Sequence, residues 1–167
     1  MTSSVTVTPT PTPGRDERRI VVTRSVTIAR PLGQVRDQFG DLVHHQRRSP
    51  HRGVRFEVVD DRAWSCTYRQ ITAVGPFRLT QVLELDRVAT GPLVNRIVSG
   101  AFTGGAIRFA FASLDADTTR VDASIEVPLG RAARTVRPIL ERHLGATLDR
   151  ALAEDRADLE NGTFGGS

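Results

Sequence analysis

The chain has 167 residues, 39% of them hydrophobic, which suits a single domain with a substantial core. All 23 basic residues are arginine; the net charge is only +4 and aromatics make up 5%, which argues against a nucleic-acid groove, where bases stack on interleaved rings. The absence of lysine excludes a P-loop and any Schiff-base chemistry, and a single cysteine, Cys66, excludes an internal disulfide, a CxxC pair and a cysteine-ligated iron–sulfur cluster or zinc knuckle within one chain.

Residues 1–17 are rich in Thr and Pro and offer almost nothing to bury, so they are expected to form a disordered tail. From Arg19 the text becomes RIVVTRSVTIARP, a β-branched run with Val22, Arg24, Val26 and Ile28 in alternation, which predicts a strand ending at Pro31. PLGQVRDQFGDLVHH follows with Leu32, Val35, Phe39 and Leu42 at helical spacing. Pro31 suits a first turn and Gly40 a break, giving one or two short helices.

Six further strands are predicted between Gly53 and Val127, separated by turn signals such as Asp60-Asp61, Gly75-Pro76 and Gly104-Gly105. A long amphipathic helix is then expected from about Thr135 to Leu159, with an apolar stripe of Val136, Leu140, Leu144, Leu148, Ala151 and Leu152. Pro138 falls in its first turn if Thr135 caps it; a start nearer Arg131 would leave a kink. Residues 161–167 are too Gly-rich to continue it and are expected to be flexible. The fold class is therefore α+β: a curved antiparallel sheet of about seven strands gripping a long C-terminal helix, over residues 18–160. One helix across one curved sheet leaves a concave space suited to an apolar ligand. No stretch is long and apolar enough for a membrane span, and the start carries no secretory pattern, so a cytoplasmic protein without membrane insertion is expected.

The chemistry-bearing residues follow from the same periodicities. His44, His45 and His51 lie within eight residues of one another. Their readings are a polar loop at the cavity mouth, proton-transfer groups on a bound ligand, or a metal site; the spacing is loose, and no metal and no cofactor is expected. On the last helix His143 and Thr147 interrupt the Leu140, Leu144, Leu148 stripe, which is expected to wall the cavity. Trp64, Cys66, Tyr68 and Gln70 share one strand face; Phe77, Leu79, Gln81, Leu83 and Leu85 share the next, so Gln70 and Gln81 are polar atoms on apolar faces. Trp64 and Cys66 read as plain core, with a ligand contact as the alternative for Trp64. Asn95 and Arg96 point to opposite sides of their strand; an inward Arg96 would attract a ligand carboxylate or enolate, an outward one is ordinary surface. His44, His51, Tyr68 and His143 are the catalytic candidates, with Trp64, Tyr68, Gln70, Gln81, Arg96, His143, Leu144, Thr147 and Leu148 as the ligand-binding set.

The order of elements, with VTRSVTIARPLGQVRDQFGDL running from strand through proline into helix and TYRQITAVGPFRLTQVLEL as a long hairpin, resembles the helix-grip fold of the START-related superfamily from about Arg19 to Glu160. That superfamily includes polyketide cyclases, ring-hydroxylase substrate domains and the birch-pollen allergen. The resemblance implies a hydrophobic, aromatic or polyketide-like small molecule in an internal cavity, cyclised or dehydrated there with His and Tyr as proton-transfer groups. The alternative it leaves open is a lipid or quinone carrier without chemistry. A monomer or homodimer is expected, with no nucleic-acid partner.

Overall fold

The computed structural model describes residues 19–48, 50–74, 76–87, 90–130 and 135–162. The expectations for residues 1–17, for a helix start near Arg131 and for residues 163–167 lie outside them. In chain order the elements are β1 (Arg19–Ile28), α1 (Leu32–Gly40), α2 (Leu42–Arg48), β2 (Val54–Asp61), β3 (Ser65–Val74), β4 (Phe77–Asp86), β5 (Leu93–Gly100), β6 (Ala106–Ser113), β7 (Thr119–Pro128) and α3 (Arg137–Glu160). Pro31 precedes the first helical residue, its fixed φ of −58° matching the entry to α1. Asp41, at φ −90° and ψ 82°, breaks the helical path after Gly40 and separates α1 from α2.

The strands form one antiparallel sheet in the order β1-β7-β6-β5-β4-β3-β2, so the meander closes by laying its last strand beside its first. This is the curved seven-stranded sheet and long C-terminal helix of the helix-grip fold. Two register shifts bend it. One leaves Val59 unopposed between Val58 and Asp60, which is why that valine is exposed; the other leaves Val98 between Ile97 and Ser99. Gly100, at φ 108°, sits so near the backbone of Thr80 that a Cβ would lie 2.5 Å from its carbonyl oxygen, which makes glycine the only residue that fits.

α3 lies mainly against β1, and Gly145 lets the helix pass closely beside the Arg24 guanidinium. Pro138 is within its first turn, with Val136 rather than Thr135 at the cap position, so the proline starts the helix without kinking it. Leu144, Leu148, Leu152 and Leu159 are buried with Ile20, Val22 and Ile28 of β1, Leu83 and Leu85 of β4 and Val121, Ala123 and Val127 of β7. Each such leucine contributes about 1.5–3 kcal/mol by leaving water. α1 adds Phe39, edge-on to Phe109 at 5.1 Å and to Phe111 at 5.7 Å. The expected alternation fails for Phe77, at the β3–β4 hairpin end, which stays 74% exposed.

Candidate functional site

Between α3 and the sheet lies a cavity of about 120 Å³. Its apolar walls come from Phe39 and Leu42 of the short helices, Phe56, Ile107, Phe109 and Ile125 of the strands, and Leu148 and Ala151 of α3. Two groups of polar side chains open into it. On the sheet, Tyr68 of β3 and Asn95 of β5 are both buried, and the Tyr68 hydroxyl donates to Asn95 Oδ1 at 2.9 Å. Burial drives the Tyr68 phenol far above its ordinary value, with the neighbouring Cys66 pushing the same way, so Tyr68 is an O–H donor at any ordinary pH. Gln70, two residues along the same face, also lines the cavity and donates to Thr72 Oγ1 at 3.2 Å.

At the α2 end are His45, His51 and Asp155, all buried, with donor atoms within 4.8 Å of one another. The Asp41 carbonyl can only accept, so the 2.7 Å contact fixes His45 Nδ1 as the protonated nitrogen and turns Nε2 toward Asp155 Oδ1 at 3.3 Å. His51 repeats the arrangement: Nδ1 meets Glu154 Oε2 at 3.3 Å and Nε2 meets the same Asp155 oxygen at 3.4 Å. The backbone N–H of Arg52 also donates to Glu154, fixing the carboxylate behind the ring. Gln38 Nε2 donates to Asp155 Oδ1 at 3.1 Å and to Asp158 Oδ2 at 3.3 Å. Burial alone would lower the His45 pKa; the hydrogen bond to Asp155 and its charge, with the Asp41 carbonyl and Asp158, outweigh that and raise it. The two imidazoles stack at 5.3 Å, and Phe56 packs against both and against Tyr68, so one aromatic ring joins the two polar groups.

His51, Tyr68, Gln70, Thr147 and Leu148, each singled out from the sequence, line this cavity. The others stand elsewhere. His44 turns to Asp158, Nε2 to Oδ2 at 2.7 Å, and it is His45 that faces the cavity. Trp64 is not on the strand: Arg62 and Ser65 exchange backbone hydrogen bonds, which makes Ala63 and Trp64 the hairpin tip and leaves the indole 66% exposed. The turn falls three residues later than Asp60-Asp61, and the inward face of β3 begins at Cys66. That thiol is core as expected; burial pushes it up to about 11. Arg96 points outward toward Asp86 at 3.5 Å. His143 is exposed, and Leu144 is buried in the core without lining the cavity. Gln81 is buried beside Gly100, outside the cavity lining, with no hydrogen-bond partner for Nε2 among the described residues.

Asp155 and Asn95 also line the cavity and stand outside the ligand-binding set read from the sequence, although Asn95 is weighed there against Arg96. Asp155 had a signal: Leu144, Leu148, Leu152 and Leu159 are buried, and at about 100° per residue Asp155 falls only about 20° from the centre of that arc. His143 falls about 140° away from the same centre. Weighting the stripe toward Val136 and Leu140, which are exposed and half-buried, had moved the centre toward His143.

No protein-family profile matches the chain, and no curated protein matches it either. Solved structures do match in fold. An aromatase/cyclase from Streptomyces superposes with a TM-score of 0.75 at 15% identity over 89% of this chain and 98% of that one. A START superfamily protein from Mycobacterium smegmatis gives 0.70 at 15% identity over 84% and 97%. Norcoclaurine synthase from Thalictrum flavum, solved with dopamine and hydroxybenzaldehyde, gives 0.62 at 11% identity over 95% and 98%.

Proposed function

We propose that this chain, which has the helix-grip fold of the START-related superfamily, binds an aromatic or polyketide-like small molecule in its cavity and acts on an oxygen of it by cyclisation or dehydration. The observation that carries the reading is the convergence of Tyr68 with Asn95 and of His45 with His51 and Asp155 on one otherwise apolar space. A passive carrier for lipid or quinone has no use for two buried polar groups at once, each of which costs desolvation. Fold neighbours named as aromatase/cyclase and as norcoclaurine synthase support it by analogy.

The apolar walls take the ligand's ring and the polar groups hold its oxygen. At about 120 Å³ the space is on the scale of one benzene-sized ring, well below the roughly 300–1,000 Å³ of pockets for larger ligands. The ligand is therefore a single ring, or a longer molecule that enters by one ring. The one Tyr68 proton goes to Asn95 Oδ1, so the phenol oxygen accepts from a ligand hydroxyl, or donates to a ligand carbonyl that takes the place of Asn95; Phe56 and Phe109 stack against the ring.

An environment-sensitive apolar dye tests this directly. It should bind saturably, and Leu148→Trp should abolish uptake by filling the cavity, while Ile139→Trp, at an exposed site on α3, should not. Uptake that survives Leu148→Trp would remove the cavity as the binding site.

A further inference from the structure

We propose that His45, His51 and Asp155 form a mononuclear site for a divalent transition ion of the zinc or iron(II) type, open toward the cavity. This departs from the expectation of a metal-free chain, which rested on the loose spacing of the histidines alone. The third donor comes from α3, more than a hundred residues away, and spacing within one segment cannot reveal it.

Three observations carry the assignment. The first is the direction of the rings. Each imidazole is held from behind at Nδ1, His45 by the Asp41 carbonyl at 2.7 Å and His51 by the Glu154 carboxylate at 3.3 Å, and each presents Nε2 to the same point beside Asp155 Oδ1. A carbonyl or carboxylate behind the ring fixes the tautomer in which the other nitrogen carries its lone pair, which is how proteins prepare histidine for a metal. The second is spacing. The Nε2 atoms stand 3.3 and 3.4 Å from Asp155 Oδ1, and the three donor atoms lie within 4.8 Å of one another; a tetrahedral ion with donors at about 2.0–2.1 Å sets neighbouring donors about 3.3–3.4 Å apart, which both carboxylate distances match. The third is burial: all three residues are buried, so the carboxylate charge of Asp155 is shielded from water and a cation between it and the two rings would compensate that charge.

Two imidazole nitrogens and one carboxylate oxygen suit zinc, iron(II) or cobalt(II) over calcium or magnesium, which prefer oxygen donors throughout. Three protein donors leave a position free, and because all three residues line the cavity that position faces the bound ring. An ion there would polarise a carbonyl oxygen of the ligand. The donor set stands on its own geometry; only this use of it rests on the function proposed above.

Cobalt(II) added to chelator-treated protein is the probe, since its visible bands report nitrogen and oxygen ligation without any organic ligand. Saturation at one ion per chain, displaced by zinc, is expected. His51→Gln and Asp155→Asn should each abolish the saturable bands, and Glu154→Gln should weaken binding about ten- to hundred-fold by freeing the His51 ring. His143→Ala, which removes an exposed histidine of α3, should change nothing. Circular dichroism shows which variants fold; if Asp155→Asn does not, His51→Gln and Glu154→Gln decide. No saturable binding by the wild-type chain, which is the result expected of a protonated imidazole paired with Asp155, would overturn the site. So would binding unaffected by these substitutions or lost in His143→Ala. Dye uptake that fails while cobalt binds would sink the ligand reading and leave the metal site standing.

Discussion

Tyr68 and Asp155 show how single residues acquire roles from neighbours distant in sequence. Tyr68 faces inward because β3 alternates, a property of the strand alone, but its chemical character comes from burial and from Asn95 across the sheet. Tyr68→Phe should leave Asn95 Oδ1 without its donor in a dry space, and the expected cost is about 1–3 kcal/mol in urea unfolding. A change below a few tenths would mean that Asn95 finds another donor. Tyr68→Phe should also weaken binding of a phenol or ketone probe while leaving binding of a purely apolar ring intact. Asp155 sits on the same arc as four buried leucines, so a wheel centred on those leucines places it inward; that it meets Gln38, His45 and His51 depended on where α1 and α2 settle.

Elements respond to substitution according to which layer they face. Leu144 packs against β1 outside the cavity lining, so Leu144→Trp overfills a closed core and should cost about 1–3 kcal/mol without blocking the dye. Leu148→Trp, one turn on, enters open space and should block the dye instead. Strands β1, β6 and β7 are tied by Glu126, which pairs with Arg19 at 2.5 Å and with Arg108 at 2.9 Å. Partial burial would raise the Glu126 pKa, but the two guanidinium groups outweigh it and hold the carboxyl below its usual 4.5. A depressed folded-state value means that its stabilisation is fully present above about pH 4.5 and is lost as pH falls through the folded-state value. Glu126→Gln should therefore cost at most about 1 kcal/mol at neutral pH and flatten the acid limb of the stability profile. An acid limb as steep as in the wild type would place the titrating group elsewhere.

At the scale of the whole molecule, a ligand held in the cavity would couple binding to folding, because the walls come from α1, α2, α3 and the sheet together. A ligand that fits only the assembled fold stabilises it by about 2.7 kcal/mol at a hundred times its dissociation constant. For a domain of this size that corresponds to a rise in Tm of about 5–10 °C. Scanning calorimetry with saturating dye should show it, and an unchanged Tm would mean that the dye sits on the surface. No helix among the described residues is long and apolar enough to cross a membrane, in line with the hydropathy pattern.

The architecture was legible because it is written in short-range periodicity. Alternation in RIVVTRSVTI and short turn signals define strands, Pro31 and Gly40 punctuate the two short helices, and 3.6-residue spacing defines α3, whatever the rest of the chain does. The inward faces of β3 and β4 were legible for the same reason where another layer covers them, at Tyr68, Leu83 and Leu85, and failed at Trp64 and Phe77, at the hairpin ends. The site was decided by tertiary structure. Which of two adjacent histidines faces inward depends on the break at Asp41, and the meeting of α2 with the far end of α3 brings residues 45 and 155 together. Local sequence carries no record of that distance, because it is set by how the helices pack on the curved sheet rather than by the propensity of either segment.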